Sequence, residues 1–235
     1  MNKKIKIIIV IAVVVILASG IYYFTDYAHA EKKAMDYING SDNVSVIKTS
    51  NGLLLDGYGN DTALIFYPGA KVEYTSYLPL FSEIARQGVD CYLVEMPFNF
   101  AFLGINSADK IINESNYTHY YLSGHSLGGS MAARYVNTTN NSDGLILLAA
   151  YPSDEIQKPV LSIYGSNDKV LNLKTYNESI SLIKGNFTEY IINGGNHAQY
   201  AYYGNQSGDG VANISAENQQ NQVAREILEF INQNS

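Results

Sequence analysis

Gly124-His125-Ser126-Leu127-Gly128 sets a hydroxyl at the centre of a pentapeptide with glycine two residues to either side. Where a strand turns sharply into a helix, the two backbones crowd each other on both flanks of the turn. Residues without a side chain fit there, and the apex residue is pushed outward. A serine at such an apex could attack an acyl carbon. Its hydroxyl is a poor nucleophile at neutral pH, so that chemistry also needs a base, a carboxylate to orient the base, and N–H donors for the oxyanion.

The base follows by elimination, since the chain has four histidines. His29 precedes the folded part. His119 starts the strand that delivers Ser126, about 20 Å away at roughly 3.3 Å per residue. His125 adjoins the nucleophile, and neighbours in a tight turn point in different directions. His197, in the glycine-rich loop Asn193-Gly194-Gly195-Asn196-His197, follows the last strand and is left as general base. Among carboxylates, Asp143 and Glu189 fall near strand starts and Glu178 inside a helix. Asp168 follows a buried strand by a short loop, with Asp154 and Glu155 as reserves and a helix-capping role as its ordinary alternative. For the oxyanion, one donor is the backbone N–H of Leu127. The second is expected from the loop after the third strand, Tyr67-Pro68-Gly69-Ala70, as the N–H of Ala70.

These residues need a frame that gathers loop ends. Val44–Ile47 and Leu53–Leu55 flank a turn and read as a hairpin. After it, apolar runs at 63–67, 90–95, 120–122, 145–150, 160–164 and 187–192 alternate with helical spacing at 77–87, 107–115, 127–137, 171–183 and 216–231. Uninterrupted apolar strands alternating with helices predict a doubly wound, mostly parallel sheet covered on both faces. In such sheets the site lies at the carboxyl ends of the strands.

Pro68-Gly69-Ala70, Gly124 to Gly129, the segment ending in Asp168, and Asn196-His197 resemble, in order across residues 44–235, the landmarks of the α/β-hydrolase family. The size resembles its small dienelactone-hydrolase-like branch, although that branch's namesake carries a cysteine where Ser126 stands. The resemblance implies an α/β-hydrolase fold and a Ser126-Asp168-His197 triad hydrolysing a carboxylic ester or related acyl compound. Acyl transfer or perhydrolysis on the same residues, and a non-catalytic tethered binding module, are the alternatives. Only Tyr151 to Pro159 joins the strands where relatives carry a lid, which predicts an open cleft. The aromatic loops Phe98–Leu103 and Tyr200–Tyr203 are expected to line a modest apolar pocket.

Three lysines (Lys3, Lys4, Lys6) precede an uncharged stretch from Ile7 to Phe24. Eighteen residues in a helix span about 27 Å, close to a hydrocarbon core of about 30 Å. This reads as an anchor whose basic start stays in the cytoplasm, with the domain on the extracytoplasmic side. Cleavage near Ala18-Ser19-Gly20 or Ala28-His29-Ala30, releasing a secreted domain, is the alternative. The chain thus divides into an anchor or signal segment at 1–24, a stalk at 25–42 and a hydrolase domain at 43–235. Beyond the three lysines, 12 basic residues stand against 22 acidic ones, a net charge of −10. That sign argues against a nucleic-acid partner. The histidines show no metal-ligand spacing and no phosphate loop is present, so no metal or cofactor is expected. The lone Cys91 sits in an apolar strand and reads as a buried small hydrophobe.

Overall fold

The computed structural model describes residues 2–40, 43–59 and 61–235. Eight strands form one sheet: β1 (Ser45–Thr49), β2 (Gly52–Asp56), β3 (Thr62–Tyr67), β4 (Asp90–Val94), β5 (His119–His125), β6 (Gly144–Leu148), β7 (Val160–Gly165) and β8 (Phe187–Ile192). Their spatial order is β1-β2-β4-β3-β5-β6-β7-β8. The opening hairpin is antiparallel and joins β4 antiparallel, while the six strands from β4 to β8 run parallel.

Both faces of this sheet are covered, which is why its strands read as continuous apolar runs. In β3 the side chains alternate between two cores. Leu64 and Phe66 pack with α3 (Leu78–Arg86) and the closing helix α7 (Ala216–Asn234), through Phe81, Ile84, Val223 and Ile227. Ala63, Ile65 and Tyr67 face the other way, toward α4 (Ser107–Glu114) and α5 (Leu127–Thr138), with Ile111, Ala132 and Val136. Cys91 is fully buried in β4, and burial pushes its thiol well up, as suits a packing residue.

One helix is shorter than its spacing suggests. Helical spacing covers 171–183, but α6 spans Leu173–Ser179, followed by a 3₁₀ turn at Ile180–Leu182. Asp168 takes the amides of Val170 and Leu171 into its own side-chain turn, and the Asn172 side chain then caps α6 by accepting from Thr175 N.

The first helix, α1 (Lys3–Thr25), has no buried residue; among the described residues it alone is long and apolar enough to cross a membrane. Of the segment read as a stalk, residues 41 and 42 lie outside the described residues. Residues 26–40 lie against the body. Ala28 forms a parallel bridge with Val72, with Ala28 N donating to Lys71 O (2.7 Å) and Glu73 N to Ala28 O (3.0 Å). Glu31 N donates to Tyr202 O, and Ala34, in the short helix α2 (Lys32–Met35), is fully buried.

Candidate active site

Ser126 sits between β5 and α5 with φ 53° and ψ −124°, a backbone region that L-residues adopt only under strain. The glycine spacing explains how the turn closes. A Cβ on Gly124 would lie 2.4 Å from the Gly128 carbonyl carbon, and one on Gly128 would lie 2.2 Å from Tyr67 O. Gly129 is as tight, 2.5 Å from the Ala150 Cβ. The turn is held from outside by Ser126 N donating to Leu148 O at 2.9 Å.

His197 follows β8 through Gly194 (φ 76°) and is almost wholly buried. Its Nδ1 lies 2.8 Å from Asp168 Oδ2. Asp168 Oδ1 accepts the amides of Val170 and Leu171, each at 2.8 Å, so both carboxylate oxygens are engaged. The close approach of the two loops again depends on glycine: a Cβ on Gly165 would meet the Gly195 carbonyl at 2.3 Å. His197 Nε2 is buried and has no hydrogen-bond partner, so no bond to Ser126 is made in this state. Ser126 and His197 line one cleft of about 240 Å³ together with Leu127, Ala150, Tyr151 and Leu171. A larger hollow of about 590 Å³ lies at the opposite end of the sheet, around Asp61, His119 and Ser235. It sets no hydroxyl on a strained turn beside a base.

The two amides expected to serve an oxyanion sit beside this turn. Leu127 is the first residue of α5, where a helix has no intrahelical acceptor for its N–H. Ala70 follows β3, and its amide makes no main-chain hydrogen bond among the described residues. Gly69 N instead donates to Tyr77 Oη (3.1 Å), which lies 2.8 Å from His125 Nδ1.

That Tyr77–His125 link was not visible in the sequence. Burial pushes the Tyr77 phenol up, keeping it a neutral donor. His125 is fully buried against His197 and Tyr200 (ring centroids 4.6 and 5.0 Å). Desolvation first, and the neighbouring His197 second, hold His125 well below the usual imidazole range. Its Nε2 meets no partner in hydrogen-bonding geometry, though the His197 main chain lies near enough to favour its proton slightly. A neutral His125 adds no charge beside the His197–Asp168 pair. The linkage has a sign. Below about pH 6.5 the unfolded chain protonates His125 and the folded chain does not, so acid removes stability. Denaturant titrations should show His125→Asn losing less stability than wild type from pH 6.5 to 5, the slopes differing by about 0.7 kcal/mol per pH unit at pH 6.5 and approaching about 1.4 at pH 5.

A second residue without a sequence assignment is Gln219. It is fully buried on α7 and grips the residue before His197 from both sides: Asn196 N donates to Gln219 Oε1 (3.0 Å) and Gln219 Nε2 donates to Asn196 O (2.8 Å). Its signal was phase, since 219, 223 and 227 form one stripe and a glutamine stands where apolar residues continue. Gln219→Leu leaves two buried main-chain groups unpaired. The expected cost is about 2–4 kcal/mol by denaturant titration, with kcat down about tenfold to a hundredfold and KM nearly unchanged.

The expected pocket-lining loops behave differently. Tyr200 and Tyr203 pack into the core, and Phe98, Phe102 and Leu103 point outward, so the cleft is walled by the loops after β6 and β7 and the start of α5 instead. Tyr200 and Tyr203 are covered by the core and Phe100 by the end of α1, while Phe98, Phe102 and Leu103 stay exposed.

A sequence model of the alpha/beta hydrolase family matches residues 63–221, more than half of the chain. The chain belongs to the alpha/beta hydrolase family. This alpha/beta hydrolase is similar in fold to a dienelactone hydrolase from Anabaena variabilis, with TM-score 0.62 and 12% identity over 82% of this chain and 99% of that one. A ferulic acid esterase from Streptomyces cinnamoneus gives 0.63 and 14%, over 76% and 68%. Est1E from Butyrivibrio proteoclasticus gives 0.57 and 15%, over 81% and 99%. At these identities the likeness concerns the fold. No curated protein matches the sequence of this hydrolase.

Proposed function

We propose that this alpha/beta hydrolase cleaves carboxylic esters or related acyl compounds through an acyl-enzyme on Ser126. His197 acts as general base and then acid, and Asp168 orients it. The observation that carries this reading is the buried His197–Asp168 pair at 2.8 Å, whose other ring nitrogen is unpartnered beside a cleft that Ser126 also lines. With Nδ1–H donated to Asp168, Nε2 carries the lone pair that accepts the Ser126 proton. Ser126 Oγ adds to the acyl carbon, and the oxyanion is stabilised by the Ala70 and Leu127 amides, the latter at the positive end of α5. His197 returns the proton to the leaving alcohol as the tetrahedral intermediate collapses. Water, deprotonated by His197, then releases the acid and restores Ser126. Asp168 steadies the imidazolium in each half.

Helix α1 supports a tether as part of the same reading, with Lys3, Lys4 and Lys6 on the cytoplasmic side and the domain outside. Residues 28–31 are hydrogen-bonded into the domain, so processing after Ala30 would strip the domain of the Ala28 bridge. Full-length protein should stay with membranes through alkaline washing; recovery in the soluble fraction would show that α1 is removed.

The mechanism is tested by a fluorophosphonate probe, which phosphonylates an activated serine. Wild type should label, while Ser126→Ala and His197→Ala should not. Labelling that persists in Ser126→Ala would place the nucleophile elsewhere, and a folded wild type that never labels would refute the mechanism.

A further inference from the structure

We propose that the carboxyl end of the sheet, with the mouth of the Ser126 cleft, rests on the bilayer that α1 occupies, so that the hydrolase takes amphiphilic acyl esters from the lipid surface. The inference rests on the readings above of Ser126 as a hydrolytic nucleophile and α1 as a tether.

Three separate contacts carry the orientation. The end of α1 packs on the loop after β4, with Tyr23 stacked on Phe100 at 6.0 Å and Phe24 5.5 Å from Phe98. It also meets the loop after β3, where Lys71 Nζ lies 4.4 Å above the Tyr23 ring and 3.4 Å from Asp26. The chain then runs past the loop after β8, through Glu31 N to Tyr202 O. All three loops leave the carboxyl ends of parallel strands, the end that carries Ser126, Asp168 and His197. Tether length makes the placement strict. Only residues 26 and 27 separate the last residue of α1 from the Ala28 bridge, a span of about 10 Å at full extension. A domain on so short a leash cannot turn its opposite end to the membrane.

The rim is built for such a surface. Phe98, Phe102 and Leu103, in the loop that packs on the end of α1, are 62, 46 and 46% exposed, and Val211, whose carbonyl accepts from Asn167 Nδ2 beside Asp168, is 85% exposed. Phe98 and Asn99 both hold positive φ (52° and 57°), a costly backbone for a phenylalanine that presents its ring outward. Exposed in water, this cluster gains nothing; seated among acyl chains, it loses its unfavourable hydration. With the body at net −10, attraction to anionic headgroups cannot supply the contact, which leaves apolar insertion and the tether. The cleft itself, about 240 Å³, is below the usual size of a site that encloses a whole small molecule. It fits the ester and its near neighbours, while a long chain would remain in the bilayer.

The chain has no tryptophan, so one introduced indole reports its own depth. Full-length Phe102→Trp and Tyr58→Trp, the latter an exposed position at the other end of the sheet, are reconstituted in phosphatidylcholine vesicles with brominated acyl chains. Quenching of Phe102→Trp but not of Tyr58→Trp is expected. An unquenched Phe102→Trp, or equal quenching of both, overturns the orientation. For the substrate class, Phe98→Ser/Phe102→Ser/Leu103→Ser is compared with wild type on a long-chain fluorogenic ester dissolved in the vesicles and on its soluble butyrate analogue. The bilayer rate should fall by about tenfold or more while the soluble rate holds. Equal rates on the bilayer ester overturn the substrate class. Should wild type hydrolyse neither ester, the hydrolase reading fails, and the quenching alone still decides the orientation.

Discussion

Ser126→Gly is expected to abolish hydrolysis and stabilise the fold in the same step. With Ser126 as the proposed nucleophile, its removal should cost kcat about six orders of magnitude, leaving what the oxyanion donors and binding provide. The stability effect follows from the backbone. Ser126 holds φ 53° with ψ −124°, a conformation costing an L-residue about 1–3 kcal/mol and glycine essentially nothing. Against this stands the extra freedom that glycine loses on folding, about 0.5–1 kcal/mol. The balance is a gain of about 1 kcal/mol. Ser126→Ala separates the two effects, since it loses the hydroxyl but keeps Cβ: the same loss of rate, with no gain in stability. Paired kinetics and denaturant melts of the two variants check this. A Gly variant no more stable than the Ala variant would mean that the turn stores no strain; activity in either would remove Ser126 from the mechanism.

That coupling explains why the elbow was readable and much of its surroundings was not. Gly124, Gly128 and Gly129 stand where a Cβ would strike backbone or a neighbouring side chain, so packing dictates residue type and the requirement shows in the sequence. The parallel strands were equally legible, because burial on both faces leaves little but apolar residues in β3, β6 and β7. The pairing of His197 with Asp168 could be anticipated because both follow strand ends. Placement of β2 against β4, with β3 beyond, could not, since strand order is a matter of long-range pairing that no local pattern encodes. Nor could the course of residues 26–31. A single extended segment held by main-chain bonds at Ala28 and Glu31 has no periodicity and asks for no particular side chains. Gln219 and Tyr77 are intermediate: each is a polar group within an apolar stripe, a mark that becomes legible once its buried partner is known.

Asp168→Asn should reduce kcat by about four orders of magnitude with little change in fold, and the surroundings of Asp168 say why. Oδ1 accepts two amides, Val170 N and Leu171 N, at 2.8 Å each. In the amide variant only the carbonyl oxygen can stay there, because an NH₂ would face two donors. The NH₂ group is therefore forced into the Oδ2 position, 2.8 Å from His197 Nδ1. A donor at that place requires Nδ1 to accept, which moves the ring hydrogen to Nε2. In the mechanism proposed above Nε2 takes the Ser126 proton, and in that tautomer its lone pair is gone. Loss of about 10⁴ in kcat is what the wrong tautomer costs in a triad of this type. Asp168→Ala lacks the directing NH₂, so the imidazole can still sample the productive tautomer, but two buried amides lose their acceptor. It should be the less stable protein and no less active than the Asn variant. Steady-state kinetics with thermal melts distinguish the cases. An Asn variant within about tenfold of wild type would show that the carboxylate is a loop-capping group and no part of proton transfer.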